Sequence, residues 1–285
     1  MKEIISNQSN DLSNEAQQMA DVQMIEKIKK GFENNEFKMH LQFVMDNKKT
    51  GGGIASAEAL SRWENSLGEL IFPGVYIGVM EKSGLIVAFD YYMFDKVCQK
   101  LEDWNASEFG DVSISCNITR ITISEKNFAE KIEEILKKYD FDRSKLIMEI
   151  TEDAIERNRE VARENILKMK ELGLTIALDD MGSGYASLTS LLEYPIDVVK
   201  IDRGVLLRAT SQKGKKLFLG LASLFNSIGL KVVCEGVETE EQNDFVAGSD
   251  CHYIQGWYYA KAMPMDKAED FFREYMNQKV MEYEK

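Results

Sequence analysis

Two carboxylates stand side by side at Asp179 and Asp180, where the apolar run Thr175-Ile-Ala-Leu178 gives out. Gly182 and Gly184 follow, and then a helix-like segment from Tyr185 to Leu192. Adjacent acids at the lip of a buried strand repel each other and lose hydration, so the placement calls for a cation or for a raised pKa. The other apolar runs end in the same way, at Glu58, Asn117, Glu149, Lys200 with Asp202, Glu235 and Gln255. One such Glu would most often be solvated surface. A series of carboxylates with an amide and no histidine is instead an oxygen-rich ligand set suited to Mg2+ or Mn2+ rather than to zinc or copper. Five or six acids exceed what one ion that also keeps waters would take. That makes room for two ions, ~3.5–4 Å apart, sharing a bridging Asp, activating water and neutralising a phosphate in an in-line displacement. Lys200 reads two ways, as a counter-ion that relieves repulsion or as a group that holds the attacking water and balances the transition state.

To converge, these residues need a scaffold that brings strand ends to one face. Apolar residues at helical spacing predict a helix over 21–34, and Phe37–Met45 and Gly53–Leu60 read as strands whose connection is too short for a crossover helix. The first two strands are therefore expected to be antiparallel. Helices are predicted over Pro73–Ser83 and Leu85–Trp104, the second with an apolar stripe at Val87, Phe89, Tyr92, Met93, Val97 and Leu101. Strands at Val112–Cys116, Leu146–Ile150, Thr175–Leu178, Asp197–Ile201, Lys231–Cys234 and His252–Gln255 then alternate with helices over Ser124–Tyr139, Asn158–Leu172, Ala186–Leu192, Lys213–Ile228 and Glu240–Ala247. That rhythm means parallel pairing through right-handed crossovers. The expected fold is an α/β (β/α)8 TIM-like barrel with an antiparallel first strand, whose chemistry lies at the C-terminal strand ends. No glycine-rich dinucleotide fingerprint follows any strand.

Composition narrows the partners. The 285 residues suit a barrel, and polar residues 1–20 read as a flexible lead before a domain over 21–285. A net charge of −13 argues against binding a nucleic-acid polymer. Cys98, Cys116, Cys234 and Cys251 show neither C-x-x-C nor zinc spacing and read as reduced thiols. No signal core or membrane span is apparent, so a cytoplasmic chain, or the cytoplasmic part of a larger one, is expected without direct membrane insertion.

The motifs also resemble, over about Phe37 to Pro264, the EAL-domain family of cyclic di-GMP phosphodiesterases. Glu58-Ala-Leu60 with Arg62-Trp63, Asn117-Ile-Thr119, Glu149-Ile-Thr-Glu152, Asp179-Asp-Met-Gly-Ser-Gly-Tyr185, Lys200-Ile-Asp202, Glu235-Gly-Val-Glu-Thr239 and Gln255-Gly256 stand in the family's order. The resemblance implies hydrolysis of cyclic di-GMP to linear pGpG with two ions of Mg2+ or Mn2+. It implies Glu58, Asn117, Glu149 and Asp179 as ligands of one metal, with Asp179 bridging to a second held by Asp180 and Glu235. Lys200 and Glu235 would orient and deprotonate the nucleophilic water. Gln42, Leu60, Arg62, Asp202 and Gln255 would contact the nucleotide. Glu152, Ser183 and Glu238 would steady the loop after the Asp pair, which the family couples to a homodimer, and a sensory or cyclase domain could precede the domain in a longer parent.

Plainer readings stand beside these. Arg62 could be a surface charge or salt-bridge partner, and Glu152 a helix N-terminal acid favoured by the dipole. Phe43, Thr119, Met181, Cys234 and Ala262 depart from the family's usual residues, Phe43 and Met181 being expected to affect pocket shape or loop mobility. The competing functions are a cyclic di-GMP receptor or scaffold without turnover and, more distantly, another barrel metallohydrolase.

Overall fold

The computed structural model describes residues 19–47, 52–151, 159–183 and 190–283. Most of the lead, Glu152, and the loop residues Gly184 to Thr189 lie outside them. The chain forms two compact units, residues 1–38 with 61–88, and residues 39–60 with 89–285.

In the smaller unit a helix spans 19–33. Phe37, Trp63 and Tyr76 pack ring against ring, with centroids 5.3 Å, 5.5 Å and 6.0 Å apart. The polar ends of these rings are satisfied, because Trp63 Nε1 donates to Glu36 at 2.8 Å and the Tyr76 hydroxyl meets Ser61 Oγ at 2.8 Å. Gly31 lets the helix approach, since a Cβ there would press on Phe37 and Trp63. The helix Pro73–Ser83 begins with proline in its first turn and stops at Gly84 in the left-handed region, as expected from the sequence.

The barrel falls in the larger unit, apart from the strand ends Phe37–Lys38 and Ser61–Glu64, which are counted in the smaller one. The barrel strands are β1 (Phe37–Asp46), β2 (Ile54–Glu64), β4 (Ser113–Asn117), β5 (Leu146–Thr151), β6 (Thr175–Met181), β7 (Val198–Ile201), β8 (Lys231–Cys234) and β9 (Tyr253–Gln255). They pair in the order β1-β9-β8-β7-β6-β5-β4-β2, and β1 pairs with β2 to close the sheet. From β2 to β9 every neighbouring pair is parallel, whereas β1 runs antiparallel to β9. The fold is the expected eight-stranded barrel with an inverted first strand. Two short strands were not anticipated, β3 (Leu70–Ile71) on β2 and β10 (Met263–Pro264) on β1. Neither is long enough to carry a period-two pattern.

Several helix boundaries differ from expectation. The helix expected over Ser124–Tyr139 is shorter, Phe128–Leu136 with Asn127 as its N-cap, and a separate helix at Arg120–Ile123 precedes it. A helix at Arg203–Leu207 and a long one at Met265–Tyr283 were not foreseen. In Leu85–Asn105 the buried face runs through Ile86, Phe89, Asp90, Met93, Phe94, Val97 and Leu101, whereas Val87 and Tyr92 are only half-buried. Phe43, expected to affect pocket shape or loop mobility, is fully buried away from the mouth. It packs on the outside of the barrel against Phe271, centroids 5.4 Å apart, while its neighbour Gln42 faces a cavity at the mouth. Alternation along a strand sends adjacent residues to opposite faces, so Phe43 does not shape the pocket.

Candidate functional site

Strand alternation and register converge the predicted residues. Asn117 stands opposite Glu149 across β4 and β5, while Thr151 stands opposite Asp179 across β5 and β6. Between β6 and β7 the register slips, since Leu178 pairs with Val199 but Met181 with Ile201. Asp179 and Asp180 therefore share the space facing Lys200, a bulge that lets two consecutive acids reach one centre. Asp180 takes a left-handed φ of 59°, a conformation that Asp tolerates better than most residues and that concentrates at functional sites.

Lys200 is 2 % exposed and lies in the middle of the ring. Its Nζ is 2.7 Å from Glu235, 2.8 Å from Glu149, 3.3 Å from Glu58 and 3.4 Å from Asp179. Glu58 also accepts from Asn117 Nδ2 at 3.0 Å and from Gln255 Nε2 at 2.7 Å. Burial pushes the Glu58 carboxyl up, but the Lys200 charge and the bonds from Gln255 and Asn117 together bring it below its ordinary range. Glu149 goes the other way, raised by burial and by the nearby Glu58 charge. Burial is also the main cause that lifts Glu235 to about 8 and Asp180 above the usual Asp value, the latter aided by Asp179. Burial disfavours the Lys200 ammonium, yet the carboxylates of Glu149, Glu235, Glu58 and Asp179 outweigh it and hold the charge.

Among the described residues the ring is short of positive charge, with four carboxylates around one ammonium. Asp179, Asp180 and Glu235 each offer an oxygen within 4.8 Å of the others, an all-oxygen set of the kind hard divalent cations take. Gln255 Oε1 is buried without a hydrogen-bond partner among the described residues, a further acceptor beside the acids. The donor set fits Mg2+ or Mn2+.

Above the ring lies a cavity of about 270 Å3 lined by Gln42, Leu60, Glu58, Glu235 and Gln255. Gln42 donates to the Ala260 carbonyl at 3.1 Å, which steadies its amide. Gly256 packs so tightly on the Val237 backbone that a Cβ would overlap its carbonyl, and Val237 N donates to the Gln255 carbonyl at 3.1 Å, which holds Gln255 against the segment that follows β8. Glu238 pairs with Arg203 at 2.8 Å on the same rim. Asp202 caps the helix Arg203–Leu207 by accepting from Gly204 N at 2.8 Å. Ser183 is exposed, its N–H donating to the Asp180 carbonyl at 3.0 Å. Arg62 belongs to the smaller unit, where its guanidinium lies 5.1 Å from the Phe72 ring centroid and donates to the Ser61 carbonyl at 2.8 Å.

Three residues of this region were missed. Trp257, 59 % exposed, and Arg203 line the upper cavity, and nothing in the sequence marks either as turned toward it. Asp90 is 4 % exposed, and its Oδ2 accepts from Thr119 N at 3.0 Å and from Thr119 Oγ1 at 2.6 Å. It therefore anchors the turn that carries Asn117. Its signal was present, because an acid at 90 falls between Ile86, Met93 and Phe94 on a buried helical stripe.

The EAL domain model matches residues 25–262, and the chain belongs to the EAL domain family. Among its relatives are the bifunctional diguanylate cyclase/cyclic di-GMP phosphodiesterase MucR of Pseudomonas aeruginosa, 28 % identical over 247 residues, and the cyclic di-GMP phosphodiesterase NbdA of the same organism, 26 % identical over 256. The matches cover 86 % and 90 % of the chain but 36 % and 32 % of those proteins, so the chain spans about a third of their length. Among solved structures, the PaMucR phosphodiesterase in complex with c-di-GMP superposes with a TM-score of 0.80 at 28 % identity, covering 86 % of this chain and 99 % of that one. No helix among the described residues is long and apolar enough to cross a membrane.

Proposed function

We propose that the chain hydrolyses cyclic di-GMP to linear pGpG. The observation that carries the reading is the complete ring, in which Lys200 is held by Glu58, Glu149, Asp179 and Glu235. Its support is the family membership and the phosphodiesterase names of the relatives. Glu58, Asn117, Glu149 and Asp179 would hold one divalent cation, and Asp179, Asp180 and Glu235 a second. Bound Mg2+ or Mn2+ would acidify water and neutralise phosphate charge for an in-line displacement. Glu235 takes the proton of the attacking water, and Lys200 holds that water while balancing charge that develops on the phosphate. Gln42, Leu60 and Gln255, with Arg62 and Asp202, orient the nucleotide, and the 3′-oxygen leaves. A homodimer, a polar lead over 1–20 and an added sensory or cyclase domain in a longer protein belong to the same proposal.

The test is chromatographic detection of pGpG after incubation with cyclic di-GMP and Mg2+ or Mn2+, beside Glu235→Gln. Linear product that vanishes in the variant while nucleotide binding persists is the expected result. Nucleotide that binds yet survives at high protein concentration would establish a receptor instead.

A further inference from the structure

A barrel interior is ordinarily filled by layers of bulky branched side chains. The layer beneath the acidic ring departs from that. Two residues deeper than Glu58, Asn117 and Asp179 on their strands stand only Ser56, Ser115 and Ala177, which leave a cavity of about 310 Å3 toward the strand starts. Ser113 lines it one layer further down, register-paired with Ser56, and Ser115 is paired with Glu58 on the neighbouring strand. Ser115 is 3 % exposed, yet its hydroxyl and those of Ser56 and Ser113 make no hydrogen bond to any described residue. Polar groups so placed take their partners from water or from a ligand.

The lining also selects by charge. Glu149 and Lys200 reach the cavity from above, and the carboxylates around Lys200 outnumber its single charge, so an anion is disfavoured at the inner end. Lys231 lines the cavity at the start of its strand, exposed and with no ion pair among the described residues, which disfavours a cation. Asp197, also in the lining, is neutralised by Lys170 at 2.6 Å. Val198, Val233 and Tyr253 give apolar walls for C–H faces.

We propose that this cavity is a second binding site, entered from the N-terminal ends of the strands, for a compact neutral polyol whose hydroxyls pair with Ser56, Ser113 and Ser115. Its volume lies at the lower end of the range of small-molecule pockets, and serine hydroxyls donate and accept as a polyol requires. The occupant lies under Glu149 and Lys200, so binding there touches the ring from the side opposite the mouth.

The experiment is an NMR titration of the full chain with glycerol and with myo-inositol, followed by soaks of crystals in the same probes. Saturable shifts at Ser56, Ser115 and Val198, with probe density on the serine hydroxyls, are expected. Ser56→Val with Ser115→Val should weaken binding at least tenfold. Linear, non-saturating shifts, shifts confined to Trp257 and Gln42 at the mouth, or water alone in the soaked cavity would overturn the proposal. The wild-type titration decides the matter even where the double variant does not fold.

Discussion

Lys200 Nζ, on β7, stands 2.7 Å from Glu235 Oε1, just past the end of the adjacent parallel strand β8, and among the described residues is the single ammonium within the ring. Its removal leaves four buried or half-buried acids facing one another. Lys200→Met is expected to lower pGpG formation by about 10²-fold or more. The metal-free variant should lose stability on the order of 3–5 kcal/mol, as when one partner of a buried ionic cluster is deleted. Melting curves with and without Mn2+ check the second part, since a cation should restore stability in proportion to the charge missing from the ring.

Asp90 acts on the ring through Thr119. Both donors reach one oxygen, which an amide oxygen can replace, so Asp90→Asn should retain Mn2+ affinity while Asp90→Ala weakens it about tenfold. Calorimetric titration with Mn2+ reads this without reference to turnover. A variant pair of equal affinity would remove Asp90 from the positioning of Asn117.

Trp257 projects from the mouth with the Lys261 ammonium 4.8 Å from its ring centroid. An exposed indole beside a nucleotide cavity offers a stacking face, worth about 1–3 kcal/mol per base in other proteins. Trp257→Ala should raise the Kd for cyclic di-GMP by ten-fold or more and leave the melting temperature within a degree or two. Unchanged affinity would assign the ring to the protein surface alone.

Stability should also respond to pH through His252. Burial and the nearby Lys231 charge hold its pKa below the usual 6.5, and its Nδ1 accepts from Val232 N at 3.1 Å, which requires the neutral ring. The folded chain thus binds fewer protons than the unfolded one in the window between the lowered value and 6.5. The contribution is fully present above that window and is lost as pH falls through it. Urea denaturation at pH 7.5 and pH 5.5 should show a larger loss for the wild type than for His252→Asn, whose amide oxygen can keep the Val232 bond.

Much of this architecture was legible in advance because it depends on local periodicity. Apolar runs separated by helix-length segments predicted a parallel barrel, and the polar residue closing each run predicted the ring from Glu58 to Gln255. Phe43 was misjudged because the face a strand residue takes depends on which side the barrel closes. The burial of Asp90 was legible from its apolar helical stripe, but its role was not, because its partner Thr119 comes from a turn 29 residues away.

The sequence by itself determined the kinds of groups, their order and their spacing: an excess of acids, one lysine among them, and the glycines around Asp180. Only the tertiary structure decided their meeting, because register is a relation between strands. The slip that sets Asp179 and Asp180 opposite Lys200, the Lys200 charge and hydrogen bonds that lower Glu58 while Glu149 rises, and the room left beneath the ring around Ser56 and Ser115 all arise when distant segments close one barrel.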